Sequence, residues 1–315
     1  MKILVTGGAG QIGADLLPYL EARGASLAVF DLADRQERGR SSLRWYRGSV
    51  TDGAEVARVV AEFAPEVIYH LAAVLSAKGE KDPHLTWAVN LEGTRNVLEA
   101  CRNFRVRQLI FASTIAVFGP GLPDPVPNEV SLRPTTMYGV TKVAGELLGE
   151  YYRRKWGLDF RGVRFPGLIS AGVPGGGTTD YSLHMYVDGV RHGRYECFVG
   201  PESTVPLMYM PDGLRALTEL SDAPAGRLKR SLYNIAAMSP TAAEIAEAVK
   251  RRVPGVAITF RSDPVRQAIL DSWPRRVDDT RAREEWGWKP RFDLASMSDD
   301  LVPKVRAMFA AAPPR

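Results

Sequence analysis

Cysteine and histidine are scarce in this sequence of 315 residues, which contains two and four of them. Two cysteines, Cys101 and Cys197, are too few for a disulfide framework, so we expect a reducing compartment, the cytoplasm. Neither a Cys-x-x-Cys pair nor a His-Glu-x-x-His segment, spacings that commonly bind zinc, occurs in the sequence. The sequence therefore predicts no metal site, and His70, on a predicted strand, is expected to be a core residue.

Long hydrophobic runs and a strong charge asymmetry are also absent. No stretch reaches the ~18 apolar residues that indicate a membrane span, and residues 1–13 lack the apolar centre of a secretory signal, so we expect neither. The formal net charge is +5, from 41 Lys and Arg against 36 Asp and Glu. The arginine runs at 35–40, 153–155 and 251–252 lack interleaved aromatic residues, which favours a solvated surface over a nucleic-acid interface.

The first half of the chain alternates short apolar runs with amphipathic segments. Because strands that alternate with helices form parallel sheets, this pattern predicts an α/β protein whose sheet is covered on both faces. The predicted strands are residues 2–6, 26–30, 43–46, 67–71, 108–112 and 160–165. The predicted helices are residues 11–23, 52–63, 84–103 and 135–156.

The composition changes after residue 165. Residues 167–179 are rich in Gly, Pro, Ser and Thr and predict a loop. The later patterns predict a strand and a helix within 205–220, strands at 231–235 and 256–260, and helices at 265–272, 279–286 and 294–309. A further helical pattern follows Thr241, and Pro240 is expected inside its first turn.

Three glycines, Gly7, Gly10 and Gly13, follow the first predicted strand and open the first predicted helix. The first two allow a tight turn and close approach of a pyrophosphate, and the third lets the helix pack near the strand. The helix N-terminus, with Gln11 and Ile12, offers N–H donors to phosphates. The spacing predicts a dinucleotide site, and the alternative is a turn whose glycines serve packing alone.

Asp31 follows the second predicted strand, 24 positions after Gly7. An acidic residue in this place accepts hydrogen bonds from the adenosine ribose. Its charge repels a 2′-phosphate, so we expect NAD rather than NADP as the cofactor. Arg35 and Arg38 lie close in sequence and weaken that preference.

Tyr138 and Lys142 are spaced i, i+4 within a predicted helix, which places both side chains on one face. A phenol has an unperturbed pKa of about 10, and a nearby ammonium stabilises its phenolate, so Tyr138 is a candidate general base. Ser113 and Thr114 follow a predicted strand, at the end where open α/β sheets bind ligands. The alternative for the Tyr–Lys pair is an ordinary surface pair on a helix.

These features together resemble the extended short-chain dehydrogenase/reductase family, and the resemblance covers most of the chain. The matching positions are the 7–13 turn, Asp31, residues 70–73, Asn90, Ser113, Thr114, Tyr138 and Lys142. The resemblance implies a Rossmann-type, doubly wound parallel sheet, a bound nicotinamide dinucleotide and a Ser/Thr–Tyr–Lys centre. It also implies that Ser113 or Thr114 orients a substrate hydroxyl and that Asn90 supports the site.

The same resemblance implies further cofactor contacts, at Leu32, Val50, Leu71, Ala72, Ala73, Phe165, Pro166 and Ile169. The sequence departs from the family pattern at position 49, where the family often has an Asp that contacts adenine and this chain has Ser49. The resemblance also implies two parts: an NAD-binding domain at 1–166 with a returning segment near 205–230, and a smaller substrate lobe at 167–204 and 231–315.

The second half of the chain is similar to the short-chain group of L-threonine 3-dehydrogenases, which use no zinc. The similar segments are 178–181, 206–212, 233–239, 266–274 and 278–290. This resemblance implies L-threonine as substrate, oxidised at its β-hydroxyl to 2-amino-3-oxobutanoate with NAD. It further implies a homodimer formed through helices 84–103 and 135–156, whose apolar positions otherwise serve sheet packing.

Five residues are candidates for contact with the substrate. Ser76 either binds the carboxylate of the substrate or is a loop residue whose hydroxyl is hydrogen-bonded locally. Thr178, Thr179 and Asp180 place polar groups in the glycine-rich segment, where Asp180 pairs with an ammonium or forms a turn. Trp273 either closes the pocket or packs within the smaller lobe.

Two other functions stay open at this point. A nucleotide-sugar epimerase or dehydratase of the same fold would need a long groove with basic side chains, and residues 164–167 lack the Asn often found there. A dinucleotide-sensing module without catalysis typically loses the Tyr or the Lys, and both are present here.

Overall fold

The computed structural model describes residues 1–34, 43–172 and 174–310. Eleven strands lie in these ranges: β1 Lys2–Thr6, β2 Ser26–Asp31, β3 Arg44–Arg47, β4 Val67–His70, β5 Gln108–Thr114, β6 Asp159–Phe165, β7 Gly167–Ile169, β8 Arg194–Cys197, β9 Leu207–Tyr209, β10 Leu232–Asn234 and β11 Ala257–Phe260. Seven of them form one parallel sheet in the order β10-β6-β5-β4-β1-β2-β3. The predicted doubly wound parallel sheet is confirmed.

Twelve α-helices connect the strands in the described ranges: α1 Gln11–Glu21, α2 Gly53–Phe63, α3 Ser76–Gly79, α4 Pro83–Trp87, α5 Gly93–Asn103, α6 Met137–Trp156, α7 Asp180–His192, α8 Met210–Asp222, α9 Ala242–Lys250, α10 Pro264–Asp271, α11 Thr280–Trp286 and α12 Leu294–Ala310. None of these helices is both long enough and apolar enough to cross a membrane.

The sheet separates two apolar layers. Leu16, Leu217 and Trp288 bring α1, α8 and the segment after α11 onto one face, and Val59 and Val97 bring α2 and α5 onto the other. The chain builds β1, β2 and β3 outward and then returns to β4 on the other side of β1. That reversal opens a crevice at the carboxyl ends of the strands, where such sheets bind ligands.

A second core forms beyond the sheet, around α7, α9 and α12. Tyr186, Ile245 and Leu301 are fully buried there, and β8 pairs with β11 beside them. The sequence patterns did not predict α7 or β8. The α7 segment mixes Tyr, Ser, His and Gly with few strong helix formers, so its pattern is weak and packing decides its structure.

Two predicted helix features differ from the structure. Helix α9 begins after Thr241, whose side chain accepts from the Glu244 N–H at 3.1 Å while Glu244 caps the Thr241 N–H at 2.7 Å. This reciprocal cap fixes the start of α9, so Pro240 precedes the helix and its predicted place in the first turn is wrong. The predicted helix 84–103 is divided by a π-helical turn, Ala88–Glu92, between α4 and α5.

Candidate active site

One cleft runs across the carboxyl ends of the sheet strands, and it brings together most of the residues proposed from the sequence. The proposed residues in its wall are Gly7, Gly10, Gln11, Ile12, Gly13, Leu71, Ala73, Ser76, Ser113, Thr114, Tyr138, Lys142, Phe165, Pro166, Thr178, Thr179, Asp180 and Trp273. The wall also includes residues not proposed: Leu75, Ala112, Ile115, Gly167, Leu168 and Gly177. Most of these are apolar or glycine neighbours of proposed residues and carry no chemical signal of their own.

Several residues proposed for the cofactor lie outside that wall. Leu32 is 70% exposed. Val50 is buried against Gly93, and Ile169 is buried in the core around α7. Ala72 lies behind the glycine turn, where its backbone nitrogen would be 2.6 Å from a Cβ added at Gly7. The side chains of Val50 and Ile169 therefore belong to the core rather than to the cleft wall.

The glycine turn has a backbone that other residues would not adopt. Gly7 has φ +72°, in the left-handed region that favours glycine. A Cβ at Gly13 would be 2.6 Å from the backbone of Gly8, so the turn and α1 meet in direct contact. Gly10 precedes α1 without a side-chain cap. The first N–H groups of α1 thus face the cleft uncovered by a side chain, which fits a pyrophosphate.

Asp31 is fixed at the edge of the glycine turn. One carboxylate oxygen accepts from the Ala9 N–H at 2.9 Å, and the other accepts from the Ala33 N–H at 2.9 Å. A negative charge held in this place suits ribose hydroxyls and opposes a 2′-phosphate. Arg35 and Arg38, which weakened the NAD preference, lie outside the described residues.

The side chain of Gln11 bridges the two parts of the cleft. Its Nε2 donates to Ser170 Oγ at 2.9 Å, joining the N-terminus of α1 to the segment after β7. Ser170 is buried. The bridge therefore ties the glycine turn to the start of the second core.

Tyr138 lies in the first turn of α6, which Thr136 caps by accepting from the Gly139 N–H at 3.1 Å. Burial raises the pKa of Tyr138 to about 12, although a side-chain hydrogen bond with Thr114 lowers it. The lowering expected from Lys142 is not found in the protein alone. The Lys142 ammonium lies 5.8 Å from the centre of the Tyr138 ring, and desolvation of the phenol dominates its pKa.

Lys142 is buried on the face of α6 that meets β5. Its ammonium donates to the Ala112 carbonyl at 2.7 Å and lies 4.8 Å from the centre of the Phe111 ring. Burial lowers the pKa of Lys142 to about 8, and the charge of Glu146 raises it. Lys142 therefore stays positive near neutrality in an apolar setting.

The structure separates Ser113 from Thr114, two residues that the sequence left as equal candidates. The Thr114 hydroxyl lowers the pKa of Tyr138, and it accepts from the Ala116 N–H at 3.2 Å. Ser113 instead donates to the Glu146 carboxylate at 2.5 Å. Successive strand residues alternate in direction, so the two side chains leave β5 on opposite sides, although both residues line the cleft. Thr114 is the one that affects the pKa of Tyr138.

Glu146 and Arg164 form a buried ion pair that sequence reasoning missed. Two parallel hydrogen bonds join them, at 2.9 Å from Arg164 Nε and 2.8 Å from Nη2. A signal was present in the sequence: Tyr138, Lys142 and Glu146 continue one i, i+4 series along a helix face.

Asn90 supports the cleft from behind. Its amide accepts from the Val74 N–H at 2.7 Å and donates to Thr141 Oγ1 at 3.2 Å. Thr141 in turn donates to the Tyr138 carbonyl at 2.9 Å. Asn90 lies on the π-helical turn, and such turns are frequent at functional sites.

His70 is a core residue, as predicted. Its two ring nitrogens pair with the hydroxyls of Thr6 and Thr94 at 2.7 and 3.0 Å. Burial first, and the charge of Lys142 second, lower the pKa of His70 to about 3. His70 is therefore neutral and fully hydrogen-bonded beside the site.

The other end of the cleft is polar, and its polar groups already make some hydrogen bonds within the protein. Ser76 and Thr178 pair through their hydroxyls at 3.2 Å. Asp180 accepts from the N–H groups of Gly176 and Gly177 at 2.7 and 2.9 Å, which is the turn interpretation of this residue. Trp273 is both a wall of the cleft and part of an apolar cluster around Ile115–Val117. Thr179 precedes α7 as its N-cap residue.

Charge is sparse along the described cleft wall. Lys142 and Asp180 are its only formally charged side chains there, and Lys142 is already engaged by Ala112. In the ranges that the structure covers, no cluster of three His, Cys, Asp or Glu residues could hold a metal ion.

Comparison with known proteins decides the family. Residues 3–236 match the model of the NAD dependent epimerase/dehydratase family. The chain belongs to this family. Its glycine turn, Tyr138 and Lys142 are accordingly those of an epimerase/dehydratase family member, and the resemblance to extended short-chain dehydrogenases is confirmed.

Three similar proteins in this family share a name. Mitochondrial L-threonine 3-dehydrogenase of Bos taurus is 42% identical over 305 residues, covering 96% of this chain and 82% of its own. The holo form of the GalE-like L-threonine dehydrogenase from Cupriavidus necator has a TM-score of 0.93 at 40% identity, covering 97% and 100%. A monomeric L-threonine 3-dehydrogenase from a metagenome also has a TM-score of 0.93 at 40% identity, covering 97% and 99%.

Proposed function

We propose that this protein oxidises the β-hydroxyl of L-threonine with NAD, giving 2-amino-3-oxobutanoate, NADH and a proton. The observation that carries the proposal is that one cleft has an uncovered helix N-terminus at one end and Thr114, Tyr138 and Lys142 further along. The names of the similar proteins support the same substrate.

The chain's own residues supply the proton chemistry. Thr114 and Tyr138 line the cleft together, and Thr114 lowers the pKa of Tyr138, so a substrate hydroxyl placed between them would be held by both. Tyr138 takes the hydroxyl proton as general base, and Lys142 favours the phenolate that this requires. NAD, when bound, supplies the hydride acceptor and a positive ring that further favours the phenolate.

The glycine turn would hold the pyrophosphate of NAD, and Asp31 would hold its adenosine ribose. The N–H groups at the start of α1 are not covered by a side-chain cap, and the Asp31 carboxylate lies on the same turn. Phe165 and Pro166 provide an apolar wall toward the nicotinamide end.

The polar end of the cleft would receive the amino-acid groups. Ser76, Thr178 and Thr179 place hydroxyls there for the carboxylate, Asp180 provides a negative charge for the ammonium, and Trp273 provides an apolar surface. We assign this role to the smaller lobe, 167–204 and 231–315, together with Ser76 of the cofactor domain, which comprises 1–166 and the returning segment near 205–230.

Nucleotide-sugar chemistry is the second candidate for this fold. A sugar diphosphate brings two negative charges, and buried anions need paired cations. Within the described residues of the cleft wall, Lys142 is the only formal cation, and it donates to Ala112. The wall therefore favours a small zwitterion over a nucleotide sugar.

The assay that tests the proposal is purified protein with NAD and L-threonine, read as absorbance of NADH. We expect turnover with L-threonine and none with 2-butanol, because a pocket built for charged groups rejects a substrate that leaves them unpaired. Epimerisation of a UDP-hexose without threonine turnover would favour the second candidate.

A homodimer is the expected assembly. Apolar side chains are exposed along the outer faces of α4 and α6, at Leu85, Trp87, Val140, Leu147, Tyr151 and Trp156. Sheet packing does not account for them, since they face away from the sheet. Covering this stripe with a second copy would remove it from water. One similar dehydrogenase is named as monomeric, so the assembly needs its own measurement.

The cytoplasmic location predicted from the sequence also stays a prediction. The bovine relative is named as mitochondrial. Cell fractionation of the source organism, followed by blotting for this chain, would distinguish the two compartments.

A further inference from the structure

A buried network underlies the three elements that carry the reacting groups. Ser113 directly precedes Thr114 in β5, Glu146 lies one helical turn beyond Lys142 in α6, and Arg164 lies in β6 near the end that forms the cleft wall. Ser113 and Arg164 both donate to the Glu146 carboxylate, which joins the three elements.

The network is almost completely shielded from water. Glu146 is 3% and Arg164 is 7% exposed. Besides its two bonds to Glu146, Arg164 donates to the Asn128 carbonyl at 2.8 Å and to Asn234 Oδ1 at 3.3 Å. A buried network whose groups are all bonded is rigid. Such a pair adds little net stability over apolar residues of the same size, so stability alone gives no reason for it.

We propose that Glu146 and Arg164 are positioning residues for the reaction. Their bidentate pair fixes β5, α6 and β6 at the separation that brings Thr114 and Tyr138 to one cleft, and it holds a carboxylate one helical turn beyond the buried Lys142 ammonium. The kinetic part of this inference rests on the proposed function, and the electrostatic part does not.

The surroundings of Lys142 explain why Glu146 matters. Tyr138 and Glu146 face it from α6, and His70 faces it from β4 as a neutral ring. Arg164 of β6 lies behind Glu146 and is paired with it. Among the described residues around Lys142, Glu146 is thus the negative charge that opposes the cost of burying an ammonium.

The test compares three variants by two measurements. Glu146→Gln removes the negative charge of the pair. Arg164→Lys keeps the positive charge but loses the two parallel hydrogen bonds of the guanidinium. The double variant Glu146→Gln/Arg164→Gln removes both charges. NMR of 13Cε-labelled lysine follows the titration of Lys142, which is assigned by its loss in Lys142→Met. Steady-state kinetics then separates kcat from the KM for NAD.

We expect Glu146→Gln to lower the titration midpoint of Lys142 by roughly 1 pH unit. Arg164→Lys keeps that midpoint. Because a displaced reacting group costs about 10²-fold, kcat falls by up to that factor in both single variants, while the KM for NAD changes little. Glu285→Gln is the matched control. Glu285 is another buried, ion-paired carboxylate, located on α11, and its loss lowers stability without moving the Lys142 midpoint or kcat.

An unchanged Lys142 midpoint together with a kcat within twofold of wild type in Glu146→Gln would overturn the proposal. If that variant does not fold because it buries an unpaired Arg164, the double variant decides, since it buries no unpaired charge. There we expect a midpoint below wild type and a reduced kcat, and wild-type values for both would overturn the proposal. A wild-type protein that does not oxidise threonine contradicts the proposed function, and the NMR comparison still tests the role of Glu146.

Discussion

Ser113 and Thr114 are neighbours in β5, yet their hydroxyls have different partners: Ser113 donates to Glu146, whereas Thr114 accepts from the Ala116 N–H and lowers the pKa of Tyr138. Thr114→Val keeps the shape but removes the hydroxyl that would hold the substrate, so we expect kcat with L-threonine to fall by about 10²-fold. Thr218→Val is the matched control: it removes a buried threonine hydroxyl from α8, outside the cleft wall, and should keep most of the activity. Equal losses in the two variants would contradict the assignment of Thr114.

Tyr138→Phe tests the general base. The variant keeps the ring and removes the proton acceptor, and loss of a general base typically costs about 10²–10⁴-fold. Binding of NADH, measured by its fluorescence, should change far less, because the glycine turn and Asp31 are untouched. Turnover of threonine at the parent rate would show that another group takes the proton.

Lys142→Met tests the cost of the buried ammonium. The pKa of Lys142 falls from 10.5 to about 8 through burial, so the folded state binds this proton more weakly than the unfolded chain. The buried ammonium therefore lowers the free energy of unfolding, and this effect is fully present below pH 8 and disappears as the pH rises to 10.5. At 1.36 kcal/mol per unit of pKa shift, burying the ammonium costs about 3 kcal/mol of folding stability. Lys142→Met removes this cost but also loses the hydrogen bond to Ala112, which offsets roughly 1 kcal/mol of the gain.

We therefore expect inactive Lys142→Met to unfold at a higher temperature than wild type at pH 7. The gap should narrow as the pH approaches 10. Calorimetry at several pH values measures it. A variant less stable than wild type at pH 7 would mean that the ammonium contributes more through its contacts than burial costs.

Asp31→Ser tests the choice of cofactor. It removes the carboxylate that Ala9 and Ala33 hold at the turn, so the ratio of kcat/KM for NAD over NADP should fall, chiefly through weaker NAD binding. Asp34→Ser is the control, because Asp34 lies close by in sequence but is exposed and pairs with Arg47. The same loss of preference in both variants would show only a general effect of charge.

Leu147→Glu tests the dimer. Leu147 is 60% exposed in the apolar stripe of α6, and a charge there should convert a dimer to a monomer in analytical ultracentrifugation. Val265→Glu on α10 is the control, since Val265 is 70% exposed away from that stripe. A wild-type protein that is a monomer in the same measurement would contradict the proposed homodimer.

The sequence predicted the parts of this molecule whose chemistry is local. The apolar runs predicted where the strands of the sheet lie along the chain, and the spacing of Gly7, Gly10 and Gly13 predicted the tight turn before α1, because each depends on neighbours in the chain. Helix α7 was missed because packing, rather than its own propensity, stabilises it. The bond of Ser113 to Glu146 joins residues 33 positions apart, and no local pattern contains such a contact.

The π-helical turn that carries Asn90 has a consequence for how this chain can vary in length. It holds one residue more than a regular helix would need between α4 and α5. Removing any one residue of Ala88–Glu92 would give a continuous α-helix of ordinary pitch, and it would also turn α4 by about 100° relative to α5. Either Asn90 would lose its hydrogen bonds to Val74 and Thr141, or the exposed face with Leu85 and Trp87 would turn away from that of α6. A single deletion there could therefore preserve the hydrogen bonds behind the cleft or the alignment of the two outer helix faces, but not both.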